Sequence, residues 1–260
     1  MTASAIILAG GKGERLRPYT EDRPKPMVSI MGNPLIAYHL KWLAASGFQR
    51  VVICCGYKGD VIQDFFGDGS KFGVSISYCV EETPLGRGGA FKAGLKMLGN
   101  LDQLVLGMNG DLMTNLRIDE FRDFHIKSGG VATVATVPLR SPYGVVDVTE
   151  NGTITSFREK PELPFWVNAG IYLFNPEIYD LLPEKGDHET TAFQVLAERK
   201  ALKAFRTNAF WRTVDTVKDL TELRNELEQA FFSTFLSPGS SPISPNLSPG
   251  TMANTFPTVA

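Results

Sequence analysis

Cysteine is scarce in this 260-residue chain: Cys54, Cys55 and Cys79 are the three it has. So small and odd a number makes no disulfide framework, and the adjacent Cys54 and Cys55 lack the spacing of zinc ligands. Lying within an apolar run, they read as small buried side chains of a protein in a reducing cytosol. Surplus charge is missing as well. The formal net charge is −2, so no global attraction draws the chain to nucleic acid or to an anionic membrane surface. No apolar stretch reaches membrane-spanning length. The first apolar run is too short for a signal peptide and passes straight into a glycine loop. Histidine is rare too, and His39, with no second histidine nearby, reads as structural.

What remains is an ordinary globular mixture, 43% hydrophobic and 21% charged. Residues 1–236 suffice for one domain. From Ser237 to the end, Ser, Pro, Gly and Asn dominate and no helical or strand period survives, which reads as a disordered tail over 237–260. No hexapeptide repeat is present.

Within the domain, apolar runs alternate with helical patterns. Ala5–Leu8 reads as a buried strand, 34–45 as a helix, 50–55 as a second strand, 58–66 as a helix and 74–80 as a half-buried strand. A helix is expected from Ala90 to about Leu98, a strand over 103–108, a helix over 118–128 and a strand over 131–137. Further on, a strand over 154–157, a helix over 190–200, a strand over 202–206 and a terminal helix from Val217 to about Phe232 complete the pattern. This order calls for a Rossmann-like, three-layer α/β/α fold on a mostly parallel sheet. Ligands of such sheets sit at the carboxyl ends of the strands.

The segment Leu8-Ala9-Gly10-Gly11-Lys12-Gly13-Glu14-Arg15-Leu16-Arg17-Pro18 falls at such an end. Its glycines permit a tight turn whose N–H groups can face phosphate oxygens. Arg15, Arg17 and Lys25 place positive charge beside it. It is not a P-loop, because no Ser or Thr follows Lys12, and it is not a dinucleotide fingerprint, because Leu16 stands where the third glycine belongs. A second glycine loop, Glu81-Glu82-Thr83-Pro84-Leu85-Gly86-Arg87-Gly88-Gly89, also leads from a strand into a helix. A third strand ends in Asn109-Gly110-Asp111, where an acid can hold a hard cation but is equally at home in a turn.

The first loop, followed by Pro24-Lys25-Pro26-Met27, resembles the signature of the sugar-1-phosphate nucleotidyltransferases, also called NDP-sugar pyrophosphorylases. The resemblance runs from about residue 3 to 230. It implies that Leu8, Ala9, Gly10, Gly11 and Gly13 hold the nucleotide, with Arg15 and Lys25 acting on the triphosphate. It places base and ribose against Glu82, Pro84, Gly86 and Arg87. The sugar phosphate falls to Gly110, Gly144, Glu159, Asn168 and Gly170, with Lys160 neutralising its charge. It implies Mg²⁺ on Asp111 and, following the Trp211-Arg212-Thr213-Val214-Asp215-Thr216 pattern of the glucose-1-phosphate cytidylyltransferase branch, on Asp215. The chain departs from the family pattern at Glu14, a common Thr. Arg87-Gly88 replaces Thr-Ala, Asn115 stands where some relatives have an acid, and Thr213 stands at the usual second metal-ligand Asp.

The implied reaction is attack of a sugar 1-phosphate oxygen on the α-phosphorus of an NTP, with pyrophosphate leaving. The Glu-x-x-Pro-Leu-Gly loop points first to GTP with mannose or heptose 1-phosphate. The Asp215 pattern points second to CTP, UTP or dTTP with glucose 1-phosphate. Two rival readings are a non-catalytic NDP-sugar sensor, expected to lack the charged site residues, and a non-sugar cytidylyltransferase, opposed by Glu159, Lys160 and Asn168. A cytoplasmic enzyme without nucleic-acid or membrane partners is expected, and the oligomeric state, including a homo-oligomer, is left open.

Overall fold

The computed structural model describes residues 3–99 and 104–236. In chain order the elements are β1 (Ala3–Leu8), β2 (Ser29–Ile30), β3 (Asn33–Pro34), α1 (Leu35–Ala45), β4 (Phe48–Cys55), α2 (Gly59–Phe66), β5 (Ser75–Val80) and α3 (Gly86–Leu98). Then follow β6 (Val105–Asn109), β7 (Leu112–Thr114), α4 (Ile118–Ser128), β8 (Ala132–Arg140), β9 (Val145–Val148), β10 (Ile154–Arg158) and β11 (Glu162–Phe174). The last are α5 (Ile178–Leu181), α6 (Ala192–Glu198), β12 (Leu202–Arg206), β13 (Trp211–Thr213) and α7 (Val217–Leu236). Gln103 of the expected strand over 103–108 and the tail over 237–260 lie outside the described residues.

Alternation along the buried strands builds the layers. Ala5 and Ile7 of β1 point to one face of the sheet, where α1, α2 and α4 pack through Ile36, Leu40, Ile62, Phe66 and Phe121. Ile6 points to the other face, against Phe91 and Leu95 of α3 and Phe193 and Leu196 of α6. The seven-stranded sheet runs β12-β8-β11-β6-β1-β4-β5. Its neighbours pair in parallel except at β11, which runs against both β6 and β8. The mostly parallel three-layer expectation therefore holds, with one reversed strand. That reversal matters for the site. The parallel strands bring their carboxyl ends to one edge, and β11 brings the middle of its length there, with Ile171 opposite Met108.

Several elements depart from expectation. Helix α3 begins at Gly86, four residues before Ala90, because tertiary contact stabilises a glycine-rich turn that has poor helix propensity alone. The short β7–β13 ladder, with Thr213 opposite Leu112, is not among the strands that the sequence pattern predicts. A third apolar cluster seats α7 through Leu220 and Leu223 on Leu16, Val28, Leu35 and Val214. The glycine loop thereby rests on the terminal helix. Cys54, Cys55 and Cys79 are buried and free, as expected. Among the described residues, no helix is long and apolar enough to cross a membrane.

Candidate active site

The loop after β1 is anchored at both ends. The Ala9 N–H donates to the Cys54 carbonyl at 2.7 Å, and Thr20 Oγ1 donates to the Gly13 carbonyl at 2.7 Å. Gly13 has φ +66°, and a Cβ there would lie 3.0 Å from Lys25 Cβ and from Thr20 Cγ2, so this position needs glycine twice over. Gly10 and Gly11 are exposed at the strand edge. The Lys25 N–H donates to the Gly11 carbonyl at 3.3 Å, which ties the Pro24-Lys25-Pro26 turn to the loop.

From that turn the Lys25 side chain reaches the centre of the site. Its Nζ lies 2.5 Å from Asp111 Oδ2 and 2.6 Å from Asp215 Oδ1. Arg15, largely exposed, meets the same Asp215 oxygen at 3.2 Å. These groups are up to 200 positions apart in sequence. Asp111 follows β6, and Asp215 is delivered by β13, whose continuation bonds back through the Val214 N–H to the Asp111 carbonyl at 2.8 Å. The start of α7 is capped by Thr216 and Asp219, each taking the other's backbone N–H. Capping is thus done without the Asp215 carboxylate. Burial raises the Asp215 carboxyl, but hydrogen bonds from Lys25 and Thr213 and the charge of Lys25 and Arg15 hold it below the usual carboxylate range. Asn115 is used elsewhere, its Oδ1 accepting the Phe210 N–H at 2.8 Å.

Two carboxylates converging on one ammonium form a donor set for a hard cation. Among the described residues no cluster of three or more His, Cys, Asp or Glu could hold a metal ion. Such a pair fits Mg²⁺, which takes one or two carboxylates and completes its shell with phosphate oxygens and water.

The second glycine loop is organised differently from the first. Glu81, absent from the sequence-derived site, accepts the Leu85 N–H at 3.0 Å and faces Gly10. Glu82 and Pro84 are exposed. Gly86, Gly88 and Gly89 are packed against the chain itself. A Cβ on Gly86 would lie 2.7 Å from the Gly186 carbonyl, one on Gly88 2.7 Å from His188 N, and one on Gly89 2.6 Å from the Glu184 carbonyl. The Gly186 carbonyl caps the first turn of α3 by accepting from Gly88 at 2.8 Å. Arg87 is paired with Asp187 at 3.1 Å and Glu189 at 2.8 Å.

Glu189 links this loop to β11. Its Oε1 lies 3.5 Å from Asn168 Nδ2, which also donates to the Tyr172 hydroxyl at 2.9 Å. Asn168 Oδ1 accepts the Gly170 N–H at 2.8 Å. Gly170 has φ +71°, and a Cβ there would strike Asn109 Nδ2 at 2.6 Å. Gly110 is closed in likewise, a Cβ lying 2.6 Å from the Leu8 carbonyl. The exposed Glu159 and Lys160 stand at the end of β10, with a Cβ on Gly144 reaching 3.1 Å from Glu159 Oε2. Asp187, Glu189 and Tyr172 carry no motif of their own. Only the docking of residues 183–189 onto α3 marks them.

A family model described as nucleotidyl transferase matches residues 4–230. The chain belongs to this family. Among the nucleotidyl transferases it resembles, the mannose-1-phosphate guanyltransferase of Debaryomyces hansenii is 35% identical over 222 residues, covering 82% of this chain and 61% of that protein. The mannose-1-phosphate guanylyltransferase of Mycobacterium tuberculosis is 33% identical over 230 residues, covering 83% of this chain and 62% of that protein. The chain thus spans under two thirds of the length of these relatives. Of solved structures, HddC from Yersinia pseudotuberculosis superposes with a TM-score of 0.68 at 27% identity, covering 87% of this chain and all of that one. A UDP-glucose pyrophosphorylase complexed with UDP-glucose reaches 0.69 at 20% identity over 88% of this chain and 99% of that one, which establishes the shared fold alone. In this member of the family the glycine loop, the Lys25–Asp111–Asp215 centre and the β11 wall lie along one sheet edge.

Proposed function

We propose that this chain transfers a nucleotidyl group from an NTP to a sugar 1-phosphate, giving an NDP-sugar and pyrophosphate. The observation that carries the reading is the meeting of Lys25, Asp111 and Asp215 beside the glycine loop. The bond formed joins a sugar phosphate oxygen to the α-phosphorus. The bond broken joins that phosphorus to the bridging oxygen of the leaving pyrophosphate. The attacking oxygen is already anionic, so no side chain need remove a proton. The chain's task is to align two anions and offset their repulsion.

Arg15 and Lys25 do this for the triphosphate, and Lys160 for the sugar phosphate. Leu8, Ala9, Gly10, Gly11 and Gly13 supply the main-chain cradle, and Glu82, Pro84, Gly86 and Arg87 border the base and ribose. Gly110, Gly144, Glu159, Asn168 and Gly170 border the sugar. Asp111 and Asp215 hold Mg²⁺, which when bound supplies charge to the reacting phosphates. The domain over 1–236 carries this chemistry in the cytoplasm.

GTP with mannose or heptose 1-phosphate is the first choice, the mannose pair being supported by relatives 33–35% identical that are named for that reaction. The Trp211–Thr216 pattern supports CTP, UTP or dTTP with glucose 1-phosphate as the second. The presence of every expected charged residue speaks against a sensor that only binds product. The test is pyrophosphate release with Mg²⁺ over a matrix of NTPs and sugar 1-phosphates. Release that requires both partners, strongest for GTP with mannose 1-phosphate, is expected. Silence across the matrix with tight binding of an NDP-sugar would replace the enzyme reading by the sensor.

A further inference from the structure

The ammonium of Lys25 occupies the point on which both acids of the centre converge. It is 2.5 Å from one carboxylate oxygen and 2.6 Å from the other, and its side chain is 11% exposed against 30% and 33% for the two acids. Arg15 adds a second cation on Asp215. Two carboxylates with two cations make a cluster of zero formal charge, which offers a divalent cation no net attraction. A metal using these oxygens also meets like charge within contact distance.

The Lys25 stem lies against Gly13, and its main chain is bonded to Gly11, so the residue is part of the phosphate loop as well as of the acid pair. Four rotatable side-chain bonds let Nζ exchange one anionic partner for another while the main chain stays fixed.

We propose that Lys25 and a divalent cation compete for the Asp111–Asp215 pair, and that nucleotide phosphates decide the contest by drawing the ammonium onto themselves. Lys25 is then a gate for metal entry as well as a phosphate ligand. The inference rests on the nucleotidyl-transfer reading in naming the phosphates that draw Lys25 away. The competition itself rests on the geometry of the three side chains.

The experiment measures Mn²⁺ binding without nucleotide, from the electron paramagnetic resonance signal of free Mn²⁺, in the full chain. Lys25→Met keeps the length and removes the charge, whereas Lys25→Arg keeps a cation. The methionine variant is expected to bind Mn²⁺ at least tenfold more tightly than the unaltered protein, and the arginine variant to match the unaltered protein. Adding Asp111→Asn to Lys25→Met should abolish the gain. Equal or weaker binding by Lys25→Met overturns the proposal.

If circular dichroism finds the variant unfolded, the unaltered chain decides. Acetic anhydride labelling of Lys25, read by mass spectrometry, should rise as Mn²⁺ saturates the protein. Unchanged labelling overturns the proposal equally. None of these readouts needs turnover, so a failed pyrophosphate assay with a positive Mn²⁺ result would refute the enzyme reading and leave the competition standing.

Discussion

Lys25 does three things at once: it leaves its main chain in the glycine loop, lays its stem on Gly13 and joins two acids. Asp111→Asn removes one carboxylate charge from the proposed reacting centre while keeping its shape. Turnover should fall by about 100-fold or more, the scale of losing one preorganised electrostatic contact, with the thermal midpoint little changed. A normal rate at saturating Mg²⁺ would remove Asp111 from the mechanism. Glu189 acts one step further out, between Arg87 and Asn168. Glu189→Gln should raise KM for the sugar 1-phosphate about fivefold, the equivalent of ~1 kcal/mol for one hydrogen-bonded contact. In that variant kcat and the nucleotide KM should stay near their original values. An unchanged sugar KM would mean that Asn168 is held by Tyr172 and Gly170 alone. Asp111, in the turn between β6 and β7, was legible as a candidate through the family resemblance of a Gly-Asp pair placed after a strand. Glu189 was not, because its partners come from α3 and β11, about 100 and 21 positions away.

Helix α3 illustrates how an element escapes local reading. Glycines at 86, 88 and 89 argue against a helix when taken by propensity. Here they are the condition for it, since residues 183–189 dock where side chains would stand and the Gly186 carbonyl caps the first turn. Gly89→Ala would press a methyl to 2.6 Å from the Glu184 carbonyl. Because the nearest obstructing atom is a backbone carbonyl, the cost should be about 1–3 kcal/mol, read as a lower urea midpoint. Stability equal to the unaltered protein would show that this loop gives way freely. The same loop carries Glu189, which meets Asn168, so a displaced loop should also weaken sugar 1-phosphate binding. The β7–β13 ladder makes the complementary point. Three residues a side are too short to read locally, yet they decide that Asp215 meets Asp111.

Over the whole molecule, the three histidines contribute to the response to mild acid. His39 and His188 are each brought down to about 4, in both cases by burial first, with the Arg87 charge adding to it at His188. His125 is lowered too, again by burial. An unfolded chain protonates them near 6.5 and the native chain does not, so stability is complete above 6.5 and is lost as pH falls toward 4. Each of the two deepest can remove up to about 3 kcal/mol over that window. The urea midpoint should therefore be clearly lower at pH 5 than at pH 7, and an unchanged midpoint would mean that these rings are protonated within the fold. The alternation of apolar runs with helical patterns determined the layered, mostly parallel sheet, because burial on both strand faces admits few other arrangements. Glycine and charge at strand ends likewise marked the loop after β1 as a candidate site, since this signal depends on neighbours in the chain. Tertiary structure alone decided that the Lys25 ammonium stands between Asp111 and Asp215, that Arg87 pairs with Asp187 and Glu189, and that α3 starts at Gly86. Each depends on segments about 100 or more positions apart, and no local period records which of them will touch.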